Sequence, residues 1–154
     1  MQNTNTFEKL NISSEIVNAL SERGWLSPTD IQKESIPLVL QNKDLLAQAK
    51  TGSGKTAAFG IPAIENSNSE EELQVLILTP TRELASQVSE ELNWLKGNKE
   101  IAVDAFYGGV SIEPQIKQLK NGLQILVGTP GRIIDLIKRG QLNLAKIKML
   151  ILDE

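Results

Sequence analysis

The run Ala49-Lys50-Thr51-Gly52-Ser53-Gly54-Lys55-Thr56 has the composition of a loop that holds phosphate. Its glycines let the backbone curl until successive N–H groups converge on phosphate oxygens. The helix that should follow, through Ala57-Ala58-Phe59, turns its positive end toward the same charge. In such a loop Lys55 reaches the β and γ phosphates, and the Thr56 hydroxyl ligates magnesium. Position 49 is alanine where the strictest pattern has glycine, so Gly54 through Thr56 carries most of the signal. A plain Gly-Ser turn before Lys-Thr is the competing reading, and the strand-like run before it and the helix after it weigh against that. At the other end of the chain, Met149-Leu150-Ile151-Leu152 delivers Asp153 and Glu154 to a strand end. Adjacent acids behind a buried strand are costly unless used. Asp153 would hold magnesium through water, and Glu154 would orient or deprotonate an attacking water. An ordinary polar strand terminus is the alternative.

These groups need elements to position them. Near-continuous apolar runs predict strands over 44–49, 73–79, 101–107, 124–128 and 148–153, most of the buried parallel type. Helices fall between them, most clearly over Thr81 to Lys96, where Leu84, Val88, Leu92 and Leu95 recur at helical spacing. The alternation predicts an α/β fold: an open, mainly parallel sheet with helices on both faces and ligands beyond the carboxyl ends of its strands. The polar stretch from Asn66 to Glu72 has no apolar face and reads as a solvated loop of no functional weight.

Composition narrows the chemistry. With 154 residues, 40% of them hydrophobic, the chain suits one domain with a core, expected over residues 7–154 behind a flexible tail of residues 1–6. It contains no cysteine and no histidine. That leaves out disulfides, thiol and imidazole catalysis and the usual zinc sites. The polar start lacks a signal-peptide core and no apolar run reaches membrane-spanning length, so the default expectation is a soluble cytoplasmic protein without a membrane partner. A net charge of −3 argues against a protein that coats nucleic acid, so contact with one must come from a few placed groups.

Six motifs in a fixed order together resemble the first RecA-like lobe of the DEAD-box ATP-dependent RNA helicases, over Phe7 to Glu154. Gly24-Trp25-Leu26-Ser27-Pro28-Thr29-Asp30-Ile31-Gln32 resembles the Q motif, with Phe7 as its upstream aromatic, and Ala49 to Thr56 resembles motif I. Pro80-Thr81-Arg82-Glu83-Leu84-Ala85 resembles motif Ia, Gly108-Gly109 the glycine pair, and Thr129-Pro130-Gly131-Arg132 motif Ib. Asp153-Glu154 begins the motif that names the family.

The resemblance implies a RecA-like P-loop NTPase domain that uses ATP and magnesium. Phe7 and Gln32 would read adenine, while Ala49, Thr51, Gly52, Ser53, Gly54, Lys55 and Thr56 would line the phosphates. Lys55, Asp153 and Glu154 would be catalytic, with Thr56 and Asp153 at the metal. Pro80, Thr81, Arg82, Gly108, Gly109, Thr129, Gly131 and Arg132 would meet the RNA backbone without reading its bases. It also implies that the parent protein couples ATP hydrolysis to local separation of RNA strands, using a second RecA-like lobe. Because the Ala-Asp of the motif and the Ser-Ala-Thr strand do not follow, part of the lobe is expected to be absent, leaving a gap at the sheet centre. The chain would then be a fragment, or would continue past residue 154. Alone it is expected to bind nucleotide without being a competent helicase.

Alternatives remain at several positions. Thr29 and Gln32 also form a capping box. Phe7 could anchor the core, Trp25 reads as packing, Arg82 could pair with a carboxylate, Gly108-Gly109 could be a flexible turn, and Thr129 and Pro130 suit an N-cap and first helical position. At the level of function, the alternatives are another P-loop enzyme, such as a DNA translocase or a kinase, and a non-enzymatic nucleotide- or partner-binding module.

Overall fold

The computed structural model describes residues 4–154, which fall into two compact units: residues 4–66 with Glu91–Lys99, and Ser67–Glu90 with Glu100–Glu154. In the first unit a 3-10 turn (Thr6–Leu10) leads into helices α1 (Ser14–Glu22), α2 (Asp30–Leu40) and α3 (Lys55–Glu65). Phe7, Ile16, Leu20, Ile36, Ile61 and Ile64 are wholly buried there, and α2 packs along α3. The flexible tail expected over residues 1–6 does not include Asn5 and Thr6. Asn5 is buried: its side chain accepts from the Phe7 N–H at 3.0 Å and donates to the Ser21 hydroxyl at 2.7 Å and the Trp25 carbonyl at 3.0 Å. Residues 1–3 of that predicted tail lie outside the described residues.

The second unit holds a four-stranded sheet in the order β2-β3-β1-β4, from strands β1 (Val75–Leu78), β2 (Val103–Phe106), β3 (Ile125–Gly128) and β4 (Met149–Leu152). Every pairing is parallel, with Leu78 opposite both Gly128 and Leu152 and Phe106 opposite Gly128. Strand residues alternate between faces. Leu76, Phe106 and Leu126 therefore share one face, where Ile116 and Leu119 of α5 (Glu113–Asn121) and Ile133 and Leu136 of α6 (Pro130–Lys138) pack on them. Val75, Ile77, Ile125 and Val127, on the other face, are equally buried. Helix α4 (Arg82–Leu95) begins in this unit and ends in the first, with Ala85, Val88, Leu92 and Leu95 as its buried stripe and Leu84 only half-buried.

Two expectations need correction. Residues 44–49 form no strand: the segment has no regular secondary structure and is mostly exposed, with Leu46 99% accessible. Apolar content makes a strand only where a neighbour takes up the ladder of N–H and C=O groups, and none of the four strands pairs with it. The stretch 66–72 is not merely solvated. The Asn68 carboxamide accepts from the N–H groups of Glu70 and Glu71 at 3.1 and 3.0 Å, and Gln74, buried, donates to the Asn68 and Glu71 carbonyls at 2.7 and 3.0 Å. Glu71 also meets Lys148 at 2.7 Å. That hydrogen bond, followed by the one from Asn68, holds its carboxyl below the usual carboxylate range.

Candidate functional site

In the first unit the phosphate-type loop runs straight into α3. Gly52 and Gly54 sit at φ +82° and +85°, a region open to glycine and rarely adopted by other residues, and Gly54 is the N-cap of the helix. No side chain caps α3. Its first-turn N–H groups therefore face outward with the positive end of the helix dipole, and Lys55 and Thr56 form its first two positions.

Gln32, only 1% exposed, ties this loop to α2. Its carbonyl oxygen accepts from the Thr29 N–H at 3.0 Å, closing the capping box, and its amide nitrogen donates to the Gly54 carbonyl at 3.1 Å. An added Cβ at Gly54 would collide with that nitrogen and lie 3.3 Å from the Thr29 hydroxyl. The capping reading of Gln32 therefore describes it as it stands, and the bond to Gly54, which the sequence reading did not include, makes it a brace of the loop as well; the amide keeps one N–H and one lone pair beyond these two bonds. The Ser53 hydroxyl oxygen is buried without a hydrogen-bond partner. An orphaned polar atom inside a curled loop fits an anion that would satisfy it. Phe7 has no exposed face, so the core-anchor reading describes it as it stands. Trp25 packs edge-on against Trp94 at 5.2 Å, and Arg23 lies 4.6 Å over the Trp94 ring.

The second unit gathers the remaining motif residues at the carboxyl edge of its sheet. Thr79 follows β1, Tyr107 follows β2, Thr129 follows β3 and Asp153 follows β4, with the Thr79, Thr129 and Asp153 N–H groups bonded to the Gly128, Phe106 and Leu78 carbonyls of neighbouring strands. The Thr81 hydroxyl accepts from the Leu84 N–H at 3.2 Å and so opens α4, where Arg82 is the first residue. The Arg82 guanidinium lies 4.7 Å over the Tyr107 ring, and a Cβ on Gly109 would be 3.9 Å from it. Thr129 and Pro130 take the predicted N-cap and first helical positions of α6, although the threonine side chain makes no cap bond.

Arg132 turns toward the glycine pair. It donates to the Val110 backbone carbonyl at 2.9 Å and to the side-chain amide oxygen of Gln115 at 2.9 Å. Arg82, Gly109 and Arg132 therefore converge, as do the loops carrying Pro80, Gly108 and Gly131, at one strand edge. Gln115 belongs to no motif read from the sequence, and no spacing rule would have singled it out. Lys55 and Thr56 belong to the first unit, Asp153 and Glu154 to the second. Among the described residues no cluster of three metal-ligating side chains forms. A hollow of about 480 Å³ does form, but between Glu70–Glu72, Glu100 and Asn121, near the amino ends of the strands and apart from every motif residue.

The model of the DEAD/DEAH box helicase family matches residues 29–154. The chain belongs to that family. Among curated DEAD/DEAH box relatives, it is 54% identical over 149 residues to a probable ATP-dependent RNA helicase of Methanocaldococcus jannaschii, covering 96% of this chain and 40% of that protein. It is 49% identical to the RNA helicase CrhR of Synechocystis, covering 98% of this chain and 31% of the relative. With the DEAD-box ATP-dependent RNA helicase CshA of Geobacillus kaustophilus it shares 50% identity, over 97% and 32% of the two chains. The crystal structure of a DEAD box protein from the hyperthermophile Methanococcus jannaschii superposes with a TM-score of 0.92 at 54% identity, over 96% of this chain and 41% of that one. A hypothetical ATP-dependent RNA helicase from Sulfolobus tokodaii follows with a TM-score of 0.84 at 37% identity, over 93% and 41%. The chain thus spans less than half the length of these DEAD/DEAH box relatives. The α/β sheet of parallel strands is the RecA-like fold of these neighbours. No helix among the described residues is long and apolar enough to cross a membrane.

Proposed function

We propose that the chain is the ATP- and RNA-backbone-binding lobe of an ATP-dependent RNA helicase whose complete form couples ATP hydrolysis to local separation of RNA strands. The observation that carries the nucleotide half is the curled loop at Gly52–Gly54, with its uncapped helix start and orphaned Ser53 hydroxyl. On this reading Lys55 and the loop backbone from Ala49 and Thr51 to Thr56 hold the phosphates, and the remaining polarity of Gln32 meets adenine. Stacking of Phe7 on the base would require its present packing to open. Magnesium neutralises phosphate charge in such sites and is held largely by phosphate oxygens and water. One hydroxyl, Thr56, and one carboxylate, Asp153 acting through water, suit that demand. Glu154 orients or deprotonates the attacking water.

For RNA, the helix starts at Thr81-Arg82 and Thr129-Arg132 and the glycine pair supply N–H groups and cations at one strand edge, chemistry suited to sugar and phosphate rather than bases. The partners implied are RNA and a second RecA-like lobe, and the setting implied is cytoplasmic. On this reading these residues bind nucleotide, and the second lobe supplies the arginines that stabilise charge during hydrolysis.

Thermal unfolding of the chain with Mg-ATP, with Mg-GTP as control, tests the nucleotide half. An adenine-selective rise in melting temperature is expected in the wild type and none in Lys55→Ala. An equal rise with GTP, or one that survives Lys55→Ala, would count against the pocket.

A further inference from the structure

The glycine pair is tethered at both ends, and a single side chain outside every motif links the tethers. Gln115, in α5 and only 9% exposed, donates from its amide nitrogen to the Tyr107 carbonyl at 3.2 Å and accepts from Arg132 at 2.9 Å through its amide oxygen. Arg132 in turn donates to the Val110 carbonyl at 2.9 Å. Gly108 and Gly109 therefore lie between two held points, with Tyr107 fixed by Gln115 and lying under Arg82, and Val110 fixed by Arg132. The chemistry of the bridge is restrictive. A guanidinium only donates and a carbonyl only accepts, so the group between them must offer one acceptor and one donor. A carboxylate cannot serve Tyr107, and an ammonium cannot serve Arg132. The same two partners fix which way the amide points.

We infer that Gln115 is a positioning residue for RNA binding: it sets the glycine pair and Arg132 as one preorganised surface for a phosphate. This rests on the RNA-backbone reading above. A flexible glycine loop and a free arginine would each lose freedom on meeting RNA, and the network removes that loss beforehand. Arg132 keeps N–H groups beyond the two already bonded, so it can serve as strut and phosphate donor together.

The test is binding of a labelled single-stranded oligouridylate to the whole chain over a range of salt, for the wild type, Gln115→Met, Arg132→Met and the double variant, with ATP affinity and thermal unfolding measured on each. Gln115→Met is expected to weaken RNA about tenfold, the loss of one buried polar link, with ATP affinity unchanged. The double variant should bind no more than about twofold more weakly than Arg132→Met, since residues acting through one another are not additive. A merely structural glutamine would instead lower stability and add its loss independently. Should Gln115→Met fail to fold, Gln115→Asn, too short to span both partners, carries the same expectation. Wild-type affinity in either folded variant, or additive losses, overturns the positioning role while leaving the RNA reading in place. A wild type without salt-dependent RNA binding overturns both.

Discussion

Gln32 joins two loops through one amide, and its substitution separates two kinds of recognition. Gln32→Ala removes the acceptor for Thr29 and the donor to Gly54 together. Stability should fall by about 1 kcal/mol through the lost capping box. Affinity for both nucleotides should fall because the phosphate loop loses its brace, and ATP should lose more than GTP because the spare N–H and lone pair are suited to an adenine edge. Calorimetric titration of the folded variant with each nucleotide checks this, and equal losses would leave Gln32 as a brace without a part in base choice. The curl at Gly52 and Gly54 and the helix start at Lys55 were legible from residue types alone, because a backbone at positive φ calls for glycine. Gln115 was not legible, because its partners Tyr107, Val110 and Arg132 come together only after the sheet has formed.

At the scale of elements, α6 starts where β3 ends, and Gly128 makes that closeness possible. A Cβ there would stand 2.5 Å from Cδ1 of Ile133 and 3.1 Å from Cδ2 of Leu126. Gly128→Ala should therefore cost about 1–3 kcal/mol, as overpacking of a filled core does, read as a lower denaturant midpoint at unchanged slope. An unchanged midpoint would mean that Ile133 turns aside freely. Four of the five expected strands stand where their apolar runs placed them, trimmed at one or both ends, because each has a parallel neighbour to take up its ladder. Residues 44–49 have the same composition but no ladder partner, and composition does not reveal partners. The polar stretch at 66–72 misled in the opposite way. Its order comes from an asparagine and a glutamine bonding backbone groups, a signal present in Asn68 and Gln74 but carrying no apolar periodicity.

Among the described residues β4 pairs with β1 on one side only, and Leu150 and Leu152 are 57% and 70% exposed. An apolar edge of this kind is a template for another chain. Self-association that grows with concentration is expected, measurable by sedimentation or light scattering, and Leu150→Lys should reduce it. A wild-type chain that stays monomeric at every concentration would show that the edge is too short or too twisted to pair.

The strand order has one more consequence, and it concerns time. Every ladder in the sheet includes β3 or β4: β2 pairs with β3, and β1 with β3 and β4. As the chain emerges from a ribosome, β1 and β2 therefore remain without partners until Ile125–Gly128 has been made, and β1 is not flanked on both sides until Met149–Leu152 follows. Pairings that wait on distant sequence are slow to form and leave apolar segments open to capture. The edge that carries Thr81, Gly109, Arg132 and Asp153 is thus among the last parts of this chain to take shape.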